Sequence, residues 1–192
     1  RYGKLKFVGT MYPSIGLAAV AAIAEEEGYP VKIIDCEALN YTYDDLEKEI
    51  KNLKPDVIGI QTFCNTINRA LEIGKRVKEN INPEIKIILG GVQATLFPED
   101  YIKNPFVDFI VIGEGEIVFK NLLNDLENKQ TDFSNILGLA WKKNNEPVIN
   151  QSEKLIENLD SLPLPARHFF DLTKYFPSAQ LRGKKTFHRG DA

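Results

Sequence analysis

The stretch Asp108-Phe109-Ile110-Val111-Ile112-Gly113-Glu114-Gly115-Glu116 decides the fold. An apolar run stops abruptly at an acidic turn punctuated by glycines. Apolar runs that stop at a break occur three times upstream. Leu5, Phe7 and Val8 precede the loop Gly9 to Gly16, Val57–Ile60 precedes Gln61-Thr62, and Ile85–Leu89 precedes Gly90-Gly91. Continuous apolar runs of this length read as strands buried on both faces of a parallel sheet. Breaks at the carboxyl ends of such strands line the edge where open α/β sheets bind ligands. The sequence therefore predicts a ligand site along with a fold.

Between the runs the period changes from two to 3.6. Leu17, Val20, Ala21 and Ala24 recur at helical spacing, and Gly28 stands where helices commonly end. Val31–Ile34 reads as a further strand, followed by Asp35. Tyr43–Leu53 is an amphipathic helix with Leu46, Ile50 and Leu53 inward, and Asp44 and Asp45 favour its positive amino end. Asn68–Asn80 is a helix with Leu71, Ile73 and Val77 buried. A short helix around Glu99–Lys103 follows Pro98, and Glu116–Leu126 is a helix with Val118, Phe119, Leu122 and Leu123 inward. This alternation predicts an α/β, doubly wound, five-stranded parallel sheet. The expected arrangement is flavodoxin-like (Rossmann-like), with strand order 2-1-3-4-5 and a switch point between the first and third strands.

That domain occupies residues 1–130. Residues 131–157 read as a β-hairpin appendage, with Ile136–Lys142 and Pro147–Asn150 separated by Asn144-Asn145. Residues 158–192 read as an extended linker. Pro163 and Pro165 in Asn158-Leu159-Asp160-Ser161-Leu162-Pro163-Leu164-Pro165 forbid helix. The tail Ser178–Ala192 is polar and basic, as expected of a connector to a further domain.

The chain has 192 residues, 43% of them hydrophobic, so a sizeable core is available. A net charge of -3 gives no basic footprint, and nucleic acid is not an expected partner. No apolar run reaches the roughly 18 residues a membrane span needs, so no membrane is expected either. A signal peptide is not expected, because Lys4–Val8 already reads as a strand. Cys36 and Cys64 are too few for a disulfide framework and suit reduced thiols in the cytoplasm. The chain begins at Arg1, as expected of a processed or excised piece.

Four loops hold the candidate residues. The loop Gly9-Thr10-Met11-Tyr12-Pro13-Ser14-Ile15-Gly16 can turn backbone N–H groups toward an anion as it enters a helix. An ordinary strand-to-helix turn explains it equally. The fingerprints G-x-G-x-x-G and G-x-x-x-x-G-K-[ST] are absent, which weakens a dinucleotide or nucleoside triphosphate site. Gln61, Thr62 and Asn65 can hydrogen-bond a polar ligand, although Asn65, Thr66 or Asn68 also suits the cap of the next helix. Gly90 and Gly91 remove two Cβ atoms where a flat or bulky ligand can approach, or serve a turn needing positive φ. Glu114 and Glu116 suit the amino end of a helix better than acid/base chemistry. His168 and His188 lie far from these loops and have no metal-ligand spacing. No self-contained catalytic apparatus is evident.

Four segments resemble the amino-terminal cobalamin-binding domain of cobalamin-dependent radical SAM proteins. Tyr12-Pro13-Ser14-Ile15-Gly16-Leu17-Ala18, followed by Glu26-Glu27-Gly28-Tyr29-Pro30-Val31, is similar to the family's P-x-x-G-L-x-x-L-A entry into its first helix. Leu89-Gly90-Gly91-Val92-Gln93-Ala94-Thr95, with Pro98-Glu99, resembles G-G-x-H-x-T-x-x-P-E, with Gln93 where histidine is common. Asp108–Ile112 and Gly113-Glu114-Gly115-Glu116 match D-x-I-V-x-G-E-G-E. Asn158–Pro165 with Ala166-Arg167 resembles L-D-x-L-P-x-P-A-R.

The resemblance implies a corrinoid held over the carboxyl ends of the strands. Met11, Tyr12, Pro13, Ser14 and Ile15 would lie near the lower face of the corrin ring, with Gly16 closing that loop. Thr62, Gly90 and Gly91, with Gln61, Asn65 and Gln93 beside them, would meet the nucleotide tail. Gly113, Glu114, Gly115 and Glu116 would lie near the rim. Two departures matter. The loop Gly9–Gly16 has no histidine, so the cobalt would be base-off without a protein imidazole. The C-x-x-x-C-x-x-C motif that binds a four-iron, four-sulfur cluster is absent, although Thr186-Phe187-His188-Arg189-Gly190-Asp191 resembles the strand leading to it. The resemblance thus implies a corrinoid module joined to a missing C-terminal radical SAM domain that uses S-adenosylmethionine and the cluster. The whole protein would be a methyltransferase or a related cyclase. A stand-alone corrinoid carrier or sensor, a flavodoxin-like domain that has lost cobalamin, and an unrelated nucleotide or flavin domain are the alternatives.

Overall fold

β1 (Val57–Gln61), β2 (Lys86–Gly90) and β3 (Phe109–Val111) form the parallel part of the sheet. The structure is a computed structural model and describes residues 12–151 and 156–175. β1 and β2 run in register from Val57 opposite Lys86 to Gln61 opposite Gly90, and Ile88 of β2 faces Phe109 of β3. Their side chains alternate between two apolar layers. Ile87, Leu89 and Ile110 join Leu46, Ile50, Ala70 and Val77 on one face. Ile88, Phe109 and Val111 join Val118, Leu122 and Trp141 on the other. Two buried faces account for the unbroken apolar runs.

The helices are α1 (Ile15–Glu26), α2 (Cys36–Leu39), α3 (Tyr43–Leu53), α4 (Ile67–Asn80), α5 (Val92–Leu96), α6 (Pro98–Ile102) and α7 (Gly115–Glu127). α3 starts where the Thr42 hydroxyl accepts from the Asp45 N–H while the Asp45 carboxylate accepts from the Thr42 N–H, a reciprocal cap. α1 is apolar nearly all round, so a single covered face would not suffice. α7 flanks it on one side, tied on by Lys120 to Glu27 and Tyr29 to Glu127. Residues of the linker flank it on another. Ala21 and Ala22 are buried with Ala166, and the Ala166 N–H donates to the Ala18 carbonyl at 2.9 Å.

Val31 and Ile33 pack on the α1 alanines while Ile34 packs on the larger cluster, the alternation of extended chain. Residues 4–8, the neighbour expected for that segment, lie outside the described residues. Two corrections concern the described residues. First, the sheet is not wholly parallel. β4 (Leu139–Lys143) pairs antiparallel with β3, and β5 (Glu146–Ile149) antiparallel with β4, giving the order β1-β2-β3-β4-β5. Asn144 (φ 53°) and Asn145 (φ 67°) make the tight turn between them, and asparagine tolerates that geometry. The pair extends the main sheet because Trp141 and Leu139 are buried with Phe109 and Phe133. The aromatic rings meet edge-to-face at centroid distances of 5.0 and 5.4 Å. Second, the linker is not uniformly extended. Short 3₁₀ turns at Leu159–Ser161 and Leu172–Lys174 form where Asn158 and Asp171 accept backbone N–H groups. The tail beyond residue 175, with His188, lies outside the described residues.

Truncating Trp141 to alanine should cost about 3–5 kcal/mol, since the aromatic cluster cannot collapse onto the gap. Urea unfolding measures it, and a loss below 1 kcal/mol would show that β4 is not anchored by this ring. Tyr29 offers a second check. Its hydroxyl donates to Glu127 at 2.7 Å, and this bond raises its pKa from 10.0 to about 12. A raised folded-state pKa contributes stability that is complete below pH 10 and fades as pH rises toward about 12. Ultraviolet titration of the phenolates should show a transition near pH 12 that Tyr29→Phe removes, while the later titration of Tyr175, which burial and its bond to Asp35 also raise, remains.

Candidate functional site at the carboxyl edge of the sheet

Among the described residues, Thr62 is the fully buried polar side chain, and it sits just beyond the end of β1. Every polar atom it has is used. Its N–H and its hydroxyl donate to the Gly90 carbonyl at 2.7 and 2.8 Å. Its hydroxyl accepts from the Ala94 N–H at 3.1 Å, and its carbonyl accepts from the Gln93 N–H at 3.3 Å. Thr62 therefore joins the ends of β1 and β2 to the start of α5. Gly91 lies inside this knot. Its φ is +94°, and a Cβ there would fall 2.8 Å from the Thr62 carbonyl oxygen, so only glycine fits.

Neighbouring loops are tied in series. The Ser14 hydroxyl caps α1 by accepting from the Leu17 N–H and donates to Gln61 Oε1 at 2.6 Å. Gly16 leaves room for the Gln61 amide, whose Nε2 would be 3.1 Å from a Cβ. On the far side, the Gly113 N–H donates to Thr95 Oγ1 at 3.0 Å. The Glu114 carboxylate accepts from the Ile156 N–H at 2.7 Å. A chain of contacts thus runs from Ser14 through Gln61, Thr62, Thr95 and Glu114 to the linker.

Around this frame lies an open apolar shelf. Tyr12 and Ile15 are exposed in the loop before α1 and its first turn, and Phe63 just after β1. Val92 (61% exposed), Leu96 (63%) and Phe97 follow β2, while Ile117 and Leu137 stand beside the end of β3. Scattered exposed apolar residues are ordinary, but these all belong to loops and helix starts at the carboxyl edge, which makes that edge the candidate binding surface. Gly90 adds depth, because a Cβ there would meet nothing nearer than Val111 Cβ at 4.0 Å.

The structure brings most of the expected residues together. Tyr12, Pro13, Ser14, Ile15, Gly16, Gln61, Thr62, Gly90, Gly91, Gln93, Gly113, Glu114, Gly115 and Glu116 belong to these loops and the helix starts they feed. Met11 lies outside the described residues. Asn65 is exposed beyond β1 and does not cap α4; Thr66 occupies the cap position and turns its hydroxyl onto Phe63. Glu116 sits in the first turn of α7. Gln93 donates from Nε2 to the Tyr101 hydroxyl at 2.8 Å, which fixes its side chain. Sequence reasoning overlooked Thr95 and Ile156 as partners. Thr95 was visible as a hydroxyl one turn after the glycine pair, but its partner is 18 residues away. A separate cavity of about 180 Å³ is lined by residues within 32–41 and 169–175 and by Glu49. No group of three His, Cys, Asp or Glu side chains among the described residues is placed to hold a metal ion. No helix there is long and apolar enough to cross a membrane.

The architecture is an open α/β sheet whose loops and helix starts gather at the carboxyl edge of its parallel strands. The B12 binding domain family matches residues 6–123, and the chain belongs to that family. It is 36% identical over 171 residues to an uncharacterised methyltransferase of Pyrococcus horikoshii, covering 88% of this chain and 37% of that protein. It is 28% identical to cytidylyl-2-hydroxyethylphosphonate methyltransferase of Streptomyces wedmorensis, covering 86% and 38%. The anaerobic magnesium-protoporphyrin IX monomethyl ester cyclase of Rubrivivax gelatinosus is 29% identical, covering 79% and 28%. The chain thus spans well under half the length of these relatives. Among solved structures, the cobalamin-dependent S-adenosylmethionine radical enzyme OxsB with aqua-cobalamin and S-adenosylmethionine bound has a TM-score of 0.68 at 21% identity, covering 80% of this chain and 21% of that one. The radical S-adenosylmethionine methyltransferase TsrM from Kitasatospora setae has a TM-score of 0.65 at 16% identity, covering 76% and 28%. The structural likenesses show the shared fold.

Two glycines that stand side by side should respond oppositely to alanine. Gly91→Ala should destabilise the domain by at least about 1–3 kcal/mol from backbone strain alone. Gly90→Ala should leave stability nearly unchanged, because open space surrounds its Cβ. Thermal unfolding of the pair decides the matter, and equal losses would overturn the knot described around Thr62.

Proposed function

We propose that this chain is the corrinoid-holding module of a radical SAM enzyme of the methyltransferase or related cyclase class. The observation that carries the reading is the apolar shelf at the carboxyl edge, recessed at Gly90 and framed by the Thr62 knot, in a member of the B12 binding domain family. The residues fit the group. A corrin is a broad, largely apolar plate, and the exposed side chains of Tyr12, Ile15, Val92 and Leu96 offer it apolar surface. The recess at Gly90 and the open space at Gly113 admit its tail and edge substituents without a clash.

When bound, cobalamin supplies cobalt-centred methyl-transfer chemistry. The chain's residues bind, orient and exclude water. Gln61, held by Ser14, and Gln93, held by Tyr101, present amides of fixed orientation beside the shelf. Thr62 keeps the strand ends in place without touching solvent. The loop Gly9–Gly16 contains no histidine and offers no imidazole to the metal.

The partner in this reading is a C-terminal radical SAM domain bearing a four-iron, four-sulfur cluster and S-adenosylmethionine. The relatives' greater length supports it, as do the exposed Leu159, Leu164 and Leu172 on the linker. The free thiols of Cys36 and Cys64 are in keeping with a cytoplasmic location.

Anaerobic titration with hydroxocobalamin, followed by desalting and absorbance, tests the reading. Retained corrin with a base-off spectrum is expected. Gly90→Val should abolish retention while the circular dichroism spectrum stays native. Unchanged affinity in that variant would remove Gly90 from the site, and no retention by the wild type would overturn the function.

A further inference from the structure

The carboxylate of Glu114 stands on the rim of the shelf, yet it does not point to open space. Its Oε2 accepts from the backbone N–H of Ile156 at 2.7 Å, across 42 residues of sequence. It is also unused by its own helix: Glu114 occupies the cap position of α7 but makes no side-chain cap bond. The backbone on its amino side is held, because the Gly113 N–H donates to Thr95 Oγ1 at 3.0 Å.

Downstream of Ile156 the linker is docked along α1. The Ala166 N–H donates to the Ala18 carbonyl, His168 Nε2 lies 3.0 Å from Glu25 Oε1, and the Tyr175 hydroxyl donates to Asp35 at 2.8 Å. α1 itself starts at Ser14, which is bound to Gln61 on the shelf. The linker thus leaves one site loop and lies along the helix that begins at another.

We infer that Glu114 is a positioning residue that clamps the linker at Ile156 to the site's last loop, so that filling the shelf and docking residues 156–175 are coupled. The coupling rests on the corrinoid reading above; the clamp does not. Such coupling is reciprocal: what the bound ligand adds to linker docking, the docked linker adds to ligand affinity. The consequence is a module that holds the tether of its partner domain more firmly when the corrinoid is loaded.

Hydrogen exchange of the full-length protein, with and without hydroxocobalamin, tests both parts. Without cofactor, Glu114→Ala should speed exchange at the Ile156 amide by roughly tenfold, the scale of a lost charge-assisted bond. Glu114→Gln, whose amide oxygen still accepts, should speed it less. With hydroxocobalamin, residues 156–175 of the wild type should gain protection, and that gain should vanish in Glu114→Ala. Unchanged exchange at Ile156 in Glu114→Ala overturns the clamp. A protection gain that persists in that variant overturns the coupling, as does the absence of any gain in a wild type that retains corrin. A wild type that retains no corrin removes the proposed function and the coupling with it, while the cofactor-free comparison still decides the clamp.

Discussion

One buried hydroxyl sets the geometry of the whole ligand edge. Thr62 binds the Gly90 carbonyl twice and receives the Ala94 N–H, so three chain segments must meet at one point. The penalty for leaving such groups unpaired in the interior makes the knot stiff. Everything around it inherits that stiffness. Gly91 must be glycine because the Thr62 carbonyl is too near for a Cβ. α5 starts where it does because its N–H groups find Thr62, and Thr95, one residue past Ala94, is thereby placed to hold Gly113. The knot is deliberately dry, and the shelf beside it is apolar and open, a division of labour between holding and receiving.

The parallel core was legible because a strand buried on both faces has to be apolar throughout. The runs around Val57, Ile87 and Ile110 satisfied that rule and became β1, β2 and β3. The loop glycines were legible for the same reason, as interruptions of an otherwise monotonous pattern. What could not be read was anything decided by a distant partner. The hairpin was recognisable from Asn144 and Asn145, yet its attachment to β3 follows from the packing of Trp141 on Phe133, which local sequence does not reveal. Thr62 read as a ligand-facing hydroxyl, whereas the structure turns it inward and uses it up.

The linker shows the same limit from another side. Its prolines announce extended chain, and composition alone makes it a tether. Packing makes it part of the domain. α1 has apolar residues around most of its circumference, and alanines at positions 18, 21 and 22 let another backbone come close. Ala166 fills that approach. A tether that completes a helix's burial cannot swing freely, and this is why the ties at Ile156, His168 and Tyr175 have a rigid surface to act upon.

The turn at Asn144 and Asn145 has one more effect. It places β5 at the end of the sheet among the described residues, where its outer backbone groups face no further described strand. Such edges recruit other chains and seed aggregation. β5 is short, and Pro147 within it has no N–H to donate. A strand added there would find fewer partners, so growth by edge-to-edge pairing is discouraged at this margin.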